Sequence, residues 1–277
     1  MVGEAAGGCP CGRRGLPLRF PRFPVGPIPG RGTAITYLSP AEVTRYERQI
    51  TLDGWGREAQ ERLKSSQVLI AGAGGLASAT ALYLMAGGIG AIRLVDDSRV
   101  SLADLNHQVL FRERDLGKPK AAIAERRLKE INPFVTVESQ VKVLSQHNVL
   151  RLAANCHVLI DASNDAGAGS LLNLAAAKLH IPLVQAWVWE MTGLLTTFWP
   201  GRGPCLACAS LETPSNRPAL LSPLPGIMGA LQALEVLRLL GGLGPALLGR
   251  VLIFKGDQFN FTEKIIRPNP LCPVCAT

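Results

Sequence analysis

A chain of 277 residues that is 47% hydrophobic and 18% charged can bury a sizeable core and has the balance of a folded globular protein, not of a disordered or fibrous one. The net charge of +8 divides evenly, because residues 1–38 carry Arg13, Arg14, Arg19, Arg22 and Arg31 against Glu4 alone and the body holds the other half. A mildly basic body suits an anionic ligand or an acidic protein partner; with no basic runs interleaved with aromatics, no nucleic-acid partner is expected.

Residues 1–38 are rich in Pro, Gly and Arg and lack the apolar core of a secretory signal, so a disordered tail is expected there. Seven cysteines occur (Cys9, Cys11, Cys156, Cys205, Cys208, Cys272 and Cys275), and an odd count without a signal fits a reducing, cytoplasmic setting. Cys9 and Cys11 receive no role, and Cys156 reads as a small buried residue. Folded structure is expected over residues 39–277, with a nucleotide-binding part at about 66–186 and a C-terminal part at about 187–277.

Ser39-Pro40-Ala41-Glu42 has the signature of a helix start, with an N-cap serine, a first-turn proline and an early acid. That helix leads past Tyr46, Arg48 and Gln49 to Asp53-Gly54-Trp55-Gly56, and a second helix is expected over 57–63. Residues 66–97 then read as strand (68–71), glycine turn, helix (76–86) and strand (91–95). Gly72-x-Gly74-x-x-Ala77 follows the first strand at once, Gly75 lies inside the turn, and Asp96 closes the second strand 22 residues after Gly74. Glycines permit a tight turn and close backbone approach, a helix start presents free N–H groups, and an acid at that distance can take ribose hydroxyls. The uncharged run 68–92 is long enough for a membrane span, but six glycines, Ser78 and Thr80 interrupt it, and a buried strand–turn–helix–strand unit accounts for them. No membrane association is expected.

Residues 97–112 are polar and turn-like and contain Asp104, Asn106, His107 and Gln108. A helix at 118–130 places Lys120 in its first turn, where a cation meets the positive end of the helix dipole at a cost of ~0.3–1 kcal/mol. Either the lysine is solvated or a bound phosphate compensates it. Asn132-Pro133 stops the helix; a strand at 135–143, a short helix at 146–153 and a buried strand at 158–160 follow. That strand ends in Asp161-Ala162-Ser163-Asn164-Asp165, polar residues at a carboxyl end where open α/β sheets bind ligands. A helix at 166–179 and a strand at 182–185 complete an alternating series, which predicts an α/β, Rossmann-like, mostly parallel sheet flanked by helices. His147, His157 and His180 read as ordinary surface or element-end residues. Beyond 186 the pattern changes to one strand over 187–199, a proline-rich loop at 213–225, a largely apolar helix at 227–240 covered by core or by another subunit, and a closing hairpin (251–254, 259–264), an antiparallel C-terminal part.

Cys205-x-x-Cys208 and Cys272-x-x-Cys275 each form a tight knuckle offering two thiolates. One pair alone would suit a redox dithiol; two brought together make a closed tetrahedral site of the structural zinc type. With 63 residues between them, such a site would staple the C-terminus back onto the sheet.

In order, RYERQ (45–49), GAGGLA (72–77), VDDSRVSLADLNHQ (95–108), DLGKPK (115–120), INP (131–133), DASND (161–165), PCLAC (204–208) and NPLCPVC (269–275) resemble the family of ThiF, MoeB and HesA, bacterial relatives of ubiquitin-activating enzymes. The resemblance covers roughly residues 39–277 and lies closest to the MoeB and HesA type. It implies an ATP-dependent adenylyltransferase acting on a small β-grasp sulfur carrier or ubiquitin-like protein, whose C-terminal glycine carboxylate attacks the α-phosphate. A sulfurtransferase or cysteine desulfurase would then supply sulfur for molybdopterin, thiamine or related biosynthesis. The resemblance further implies ATP and Mg2+, with Gly72, Gly74, Gly75 and Asp96 on the nucleotide, Lys120 neutralising phosphates, and Arg48 reaching the site from the second subunit of a homodimer. Cys205, Cys208, Cys272 and Cys275 would hold Zn2+ away from the chemistry.

Three positions depart from the family pattern. His107 replaces an arginine and Asp104 an asparagine, while Asn164 takes the place of the magnesium-binding aspartate with Asp165 one residue later. A mostly neutral histidine, a carboxylate that repels triphosphate and an uncharged amide each lower the positive charge available to the phosphates. The loop after Cys208 has no cysteine, which fits adenylation without a covalent enzyme intermediate. Two other readings stay open: a member that keeps the fold but serves as a binding or scaffold subunit, and an NAD-dependent oxidoreductase built on the same glycine turn.

Overall fold

The computed structural model describes residues 35–209, 211 and 219–275. The expected tail with Cys9 and Cys11 lies outside the described residues up to position 34, as does the first half of the proline-rich loop. Residues 36–38, placed in the tail by composition, lie along the third helix: the Thr36 N–H donates to Ser65 Oγ at 2.8 Å, and Leu38 is buried.

In chain order the elements are α1 (Pro40–Arg45), α2 (Glu47–Ile50), α3 (Gly56–Lys64), β1 (Gln67–Ala71), α4 (Gly75–Gly87), β2 (Ala91–Val95), α5 (Lys120–Lys129), β3 (Thr136–Gln140) and α6 (Val149–Leu152). There follow β4 (Val158–Asp161), α7 (Ala166–Leu179), β5 (Leu183–Trp189), β6 (Thr192–Phe198), α8 (Leu206–Ala209), α9 (Pro223–Gly241), β7 (Arg250–Lys255) and β8 (Asn260–Ile265). The eight strands form one sheet ordered β3-β2-β1-β4-β5-β6-β7-β8. From β3 to β5 the pairs are parallel; from β5 to β8 they are antiparallel. The order reverses between β1 and β4, so a crevice opens at their carboxyl ends, where such sheets bind ligands.

Ser39 caps α1 in a full capping box with Glu42, as the serine–proline–acid sequence predicts. The stretch 187–199 is not one strand. Alternating aromatic and branched residues continue across a two-residue reversal at Glu190 and Met191, and Trp189 pairs with Thr192. Glu190 adopts φ +49° without the Gly, Asn or Asp that usually announces such a turn, so nothing local marked it. The helix expected from 227 begins at Pro223, because a proline in the first turn lacks only an N–H that has no helical partner. The strand expected over 135–143 is limited to Thr136–Gln140, and the helix over 146–153 to Val149–Leu152.

Each sheet face carries its own core. On one, Val68, Ile70, Ile92 and Leu94 meet Leu84, Met85 and Leu128 of α4 and α5 and Met228 and Val236 of α9. On the other, Leu69, Leu159 and Leu183 meet Leu172, Ala175 and Ala176 of α7. Among the described residues α9 is the one helix long and apolar enough to cross a membrane, yet it packs along α4 inside the fold. A Cβ on Gly229 would come within 2.5 Å of the Leu76 carbonyl, so the two helices touch backbone to side. Gln232 of α9 is fully buried, and its Nε2 donates to the carbonyls of Asp161 and Val184, tying the helix to the ends of β4 and β5.

Candidate functional site at the β1–β4 crevice, and the cysteine cluster

Close packing leaves the glycine turn no room for side chains. Gly72 has φ +95°, and a Cβ there would stand 2.8 Å from the Ala162 carbonyl oxygen and from Ser163 Cα. A side chain on Gly75 would meet Pro225 at 2.9 Å and the His107 ring at 3.0 Å. Gly74 is the N-cap of α4, no side chain caps that helix, and its first turn holds no acid. The thirteen-residue helix therefore offers uncapped N–H groups and the positive end of its dipole to the crevice.

Asp96 lies at the end of β2 and braces this turn. The Ala73 N–H donates to its Oδ2 at 2.7 Å, and the N–H and hydroxyl of Ser98 donate to its Oδ1. A carboxylate accepts about four hydrogen bonds, so one acceptor direction remains for a ligand hydroxyl.

Lys120 opens α5, and its N–H donates to the Ser98 carbonyl, which anchors it beside Asp96. Its Nζ is 3.0 Å from Asp104 Oδ1, and both residues are buried. The Gln108 amide donates to the same oxygen at 2.8 Å, while the N–H and hydroxyl of Ser101 donate to Oδ2. Burial by itself would raise the Asp104 carboxyl, but these Ser101 hydrogen bonds and the lysine hold it below its usual range. His107 packs on Gly75 with its Nε2 3.3 Å from the Gln108 amide nitrogen. Burial pushes the imidazole below its usual range and the Asp104 charge pulls it back. An unbroken set of contacts thus runs from the glycine turn through His107 and Gln108 to Asp104 and Lys120.

On the other wall, Asn164 adopts φ +56°, and its amide exchanges two hydrogen bonds of 3.0 Å with the Val188 backbone. Both polar atoms of the side chain are thereby committed to locking the β4 end against β5. Asp165 is the N-cap of α7, its Oδ1 accepting from the Ala168 N–H at 2.7 Å. Asn164 has no carboxylate to offer, and the exposed Asp165 commits one carboxylate oxygen to the cap of α7. Asp161, quoted within a motif but given no role from sequence, is fully buried; Ser163 and Gln185 donate to it, and burial pushes its carboxyl up to about 6. It holds Ser163 where Gly72 packs.

Arg48 is not brought to this crevice. It is exposed on α2, whose Gln49 donates to the Gly87 carbonyl at the far end of α4 from the glycine turn, a helix length of roughly 18 Å. Its motif has structural work instead: Arg45 donates to the Ile131 carbonyl, Tyr46 packs on Gly88, and the Asn132 amide donates to the Tyr46 hydroxyl at 2.8 Å and to the Met85 carbonyl at 2.7 Å. RYERQ and INP, far apart in sequence, fasten one another to the C-terminus of α4. No residue-level signal in either motif announces that pairing.

The two cysteine pairs converge. Cys205, Cys208, Cys272 and Cys275 have all four sulfurs within 4.8 Å of one another, with neighbouring separations of 3.4, 3.6 and 3.8 Å. Four thiolates about 2.3 Å from one tetrahedral ion would lie roughly 3.8 Å apart, so the donor set fits a structural metal centre. The Asn269 N–H donates to the Cys208 sulfur at 3.4 Å, as backbone amides do in metal-binding knuckles. Within the cluster burial would raise the Cys272 thiol, but the N–H groups of Val274 and Cys275 lower it, while burial raises Cys205 and burial with the neighbouring sulfurs raises Cys275, the pattern of four thiols crowded together.

The family model described as the ThiF family matches residues 46–274. The vegetative HesA protein of Trichormus variabilis is 37% identical over 243 residues, 87% of this chain and 92% of its own length. A sulfur carrier protein adenylyltransferase of Thermus thermophilus is 35% identical over 246 residues, 84% of this chain and 91% of its own. Among solved structures, E. coli MccB with MccA-N7isoASN superposes with a TM-score of 0.77 at 22% identity, over 83% of this chain and 74% of that one, a likeness of fold.

Proposed function

The chain belongs to the ThiF family, and we propose that it is an ATP-dependent adenylyltransferase that activates the C-terminal glycine of a small ubiquitin-like sulfur-carrier protein. The observation that carries this is the crevice at the β1–β4 switch point, where an uncapped helix N-terminus, the glycine turn, Asp96 and Lys120 lie together. The carrier carboxylate attacks the α-phosphate of magnesium-bound ATP, an acyl–phosphate bond forms, and pyrophosphate departs with the electrons of the bond that breaks. Attack of one anion on another requires positive charge placed before the reaction begins. The free N–H groups of α4 and the Lys120 ammonium supply it, while Asp96 takes a ribose hydroxyl. His107, held neutral, adds shape and no charge. Asn164 is uncharged and held by the Val188 backbone, so magnesium would come bound to the nucleotide, with the second carboxylate oxygen of Asp165 open to it.

Arg48, exposed and a helix length away, serves the crevice of a second copy in a homodimer. Zn2+ in the four-cysteine cluster would join the C-terminal segment to α8 and bear load without taking part in the reaction. ATP–pyrophosphate exchange dependent on a carrier ending in Gly-Gly tests the activity. The Lys120–Asp104 pair favours a second reading, a binding subunit with a self-neutralised site; a folded, metal-loaded protein that shows no exchange with any co-encoded carrier would establish it.

A further inference from the structure

The crevice presents less positive charge than its sequence promises. Lys120 is 8% exposed and Asp104 9% exposed, so the ion pair sits where water screens it little. Asp96 lies on the same wall, hydrogen-bonded to Ser98 whose carbonyl accepts from the Lys120 N–H, and His107 is neutral, so Lys120, Asp104 and Asp96 on this wall sum to one net negative charge. Asp104 accepts from four donors: the N–H and hydroxyl of Ser101, the Gln108 amide and Lys120. Three of these remain if the lysine swings away, so the carboxylate stays satisfied when its cation leaves. Lys120, with its backbone fixed by the Ser98 carbonyl, can exchange partners by rotating its side chain alone.

Resting on the adenylyltransferase reading, we propose that Asp104 is the resident counter-ion of Lys120, which a polyphosphate must displace, and that this makes the site selective for polyphosphate already neutralised by a divalent cation. Asp104 is a positioning residue; it acts through the lysine. A metal-free triphosphate that takes Lys120 leaves the Asp104 charge unneutralised beside it, opposing the attraction of the lysine and the helix end, whereas a magnesium-bound one brings its own compensation. The charge that weakens the free phosphate thus leaves the metal complex far less affected.

Calorimetric binding of ATP, with magnesium and with EDTA in its place, tests this on the wild type, Asp104→Asn and Asp104→Glu. Asp104→Asn should bind metal-free ATP at least roughly tenfold tighter than the wild type and gain much less with magnesium. Asp104→Glu, which restores the charge, should return the wild-type gap, an outcome that a purely structural role of the side chain does not produce. An Asp104→Asn protein that melts like the wild type and binds metal-free ATP no tighter overturns the proposal. So does a wild type that binds both forms equally, a measurement that needs no variant to fold. Either result leaves adenylation untouched; failure of the wild type to bind ATP in any form overturns both.

Discussion

The β1–β4 crevice and the four-cysteine cluster sit on one sheet and are built on opposite principles. The crevice is framed by backbone: Gly72 and Gly75 have no room for a side chain, and the helix N–H groups proposed to meet the phosphates are held by the fold itself, with Lys120 and Asp96 beside them. The cluster is made of side chains brought together across 63 residues, four sulfurs whose natural partner is an ion. A site of the first kind stands ready without its ligand. One of the second kind depends on its ligand for part of its stability.

The largest effect that can break this contrast is removal of metal. Elemental analysis should find the proposed zinc in the wild type and not after Cys272→Ser or a chelator, with stability lowered by roughly 3 kcal/mol or more in denaturant unfolding. Nucleotide affinity of the protein that remains folded should stay within about threefold, because distant sites couple little. A parallel loss of ATP binding would show the two regions to be one cooperative unit. Next comes Gly72→Ala, which forces a Cβ into the Ser163 backbone at a left-handed φ; it should cost roughly 2–4 kcal/mol and lower nucleotide affinity as well.

Asp161→Asn sharpens the contrast through pH. The folded carboxyl at about 6 exceeds the unfolded value, so between roughly pH 4 and 6 the folded state binds the extra proton and stability falls as pH rises. The asparagine variant is free of that fall. Its stability relative to the wild type should grow from near zero below pH 4 to about 1–3 kcal/mol at neutral pH, read from urea midpoints. The smallest effect is Tyr46→Phe, which removes the acceptor for the Asn132 amide while Met85 keeps accepting; about 1 kcal/mol in thermal unfolding is expected, with nucleotide binding unchanged.

Much of the fold was legible because its signals are local. The glycine turn, its strand and its helix lie within thirty or so residues and are marked by residue types at fixed short spacings, although the atoms that crowd Gly72 and Gly75 come from remote segments. The hairpin at Glu190 was illegible for the converse reason: it reverses the chain with no residue specialised for a left-handed conformation, and only pairing with β7 and packing against α9 decide where the strand ends. In the site, Asp104 reads in sequence as a charge opposing triphosphate. In the structure it is already neutralised by Lys120, sixteen positions away. Asn164 reads in sequence as an uncharged residue at a metal-binding position, and in the structure its amide also clasps the Val188 backbone.

By itself the sequence determined the βα order, the glycine turn, the two paired-cysteine knuckles and the family, since each rests on residue types at fixed short spacings. Only the tertiary structure decided which charges cancel, that Arg48 stands a helix away from its own crevice, and that the two cysteine pairs meet. Those outcomes depend on distances between segments remote along the chain, which the packing of α4, α5, α7 and α9 on the sheet sets and no local spacing encodes.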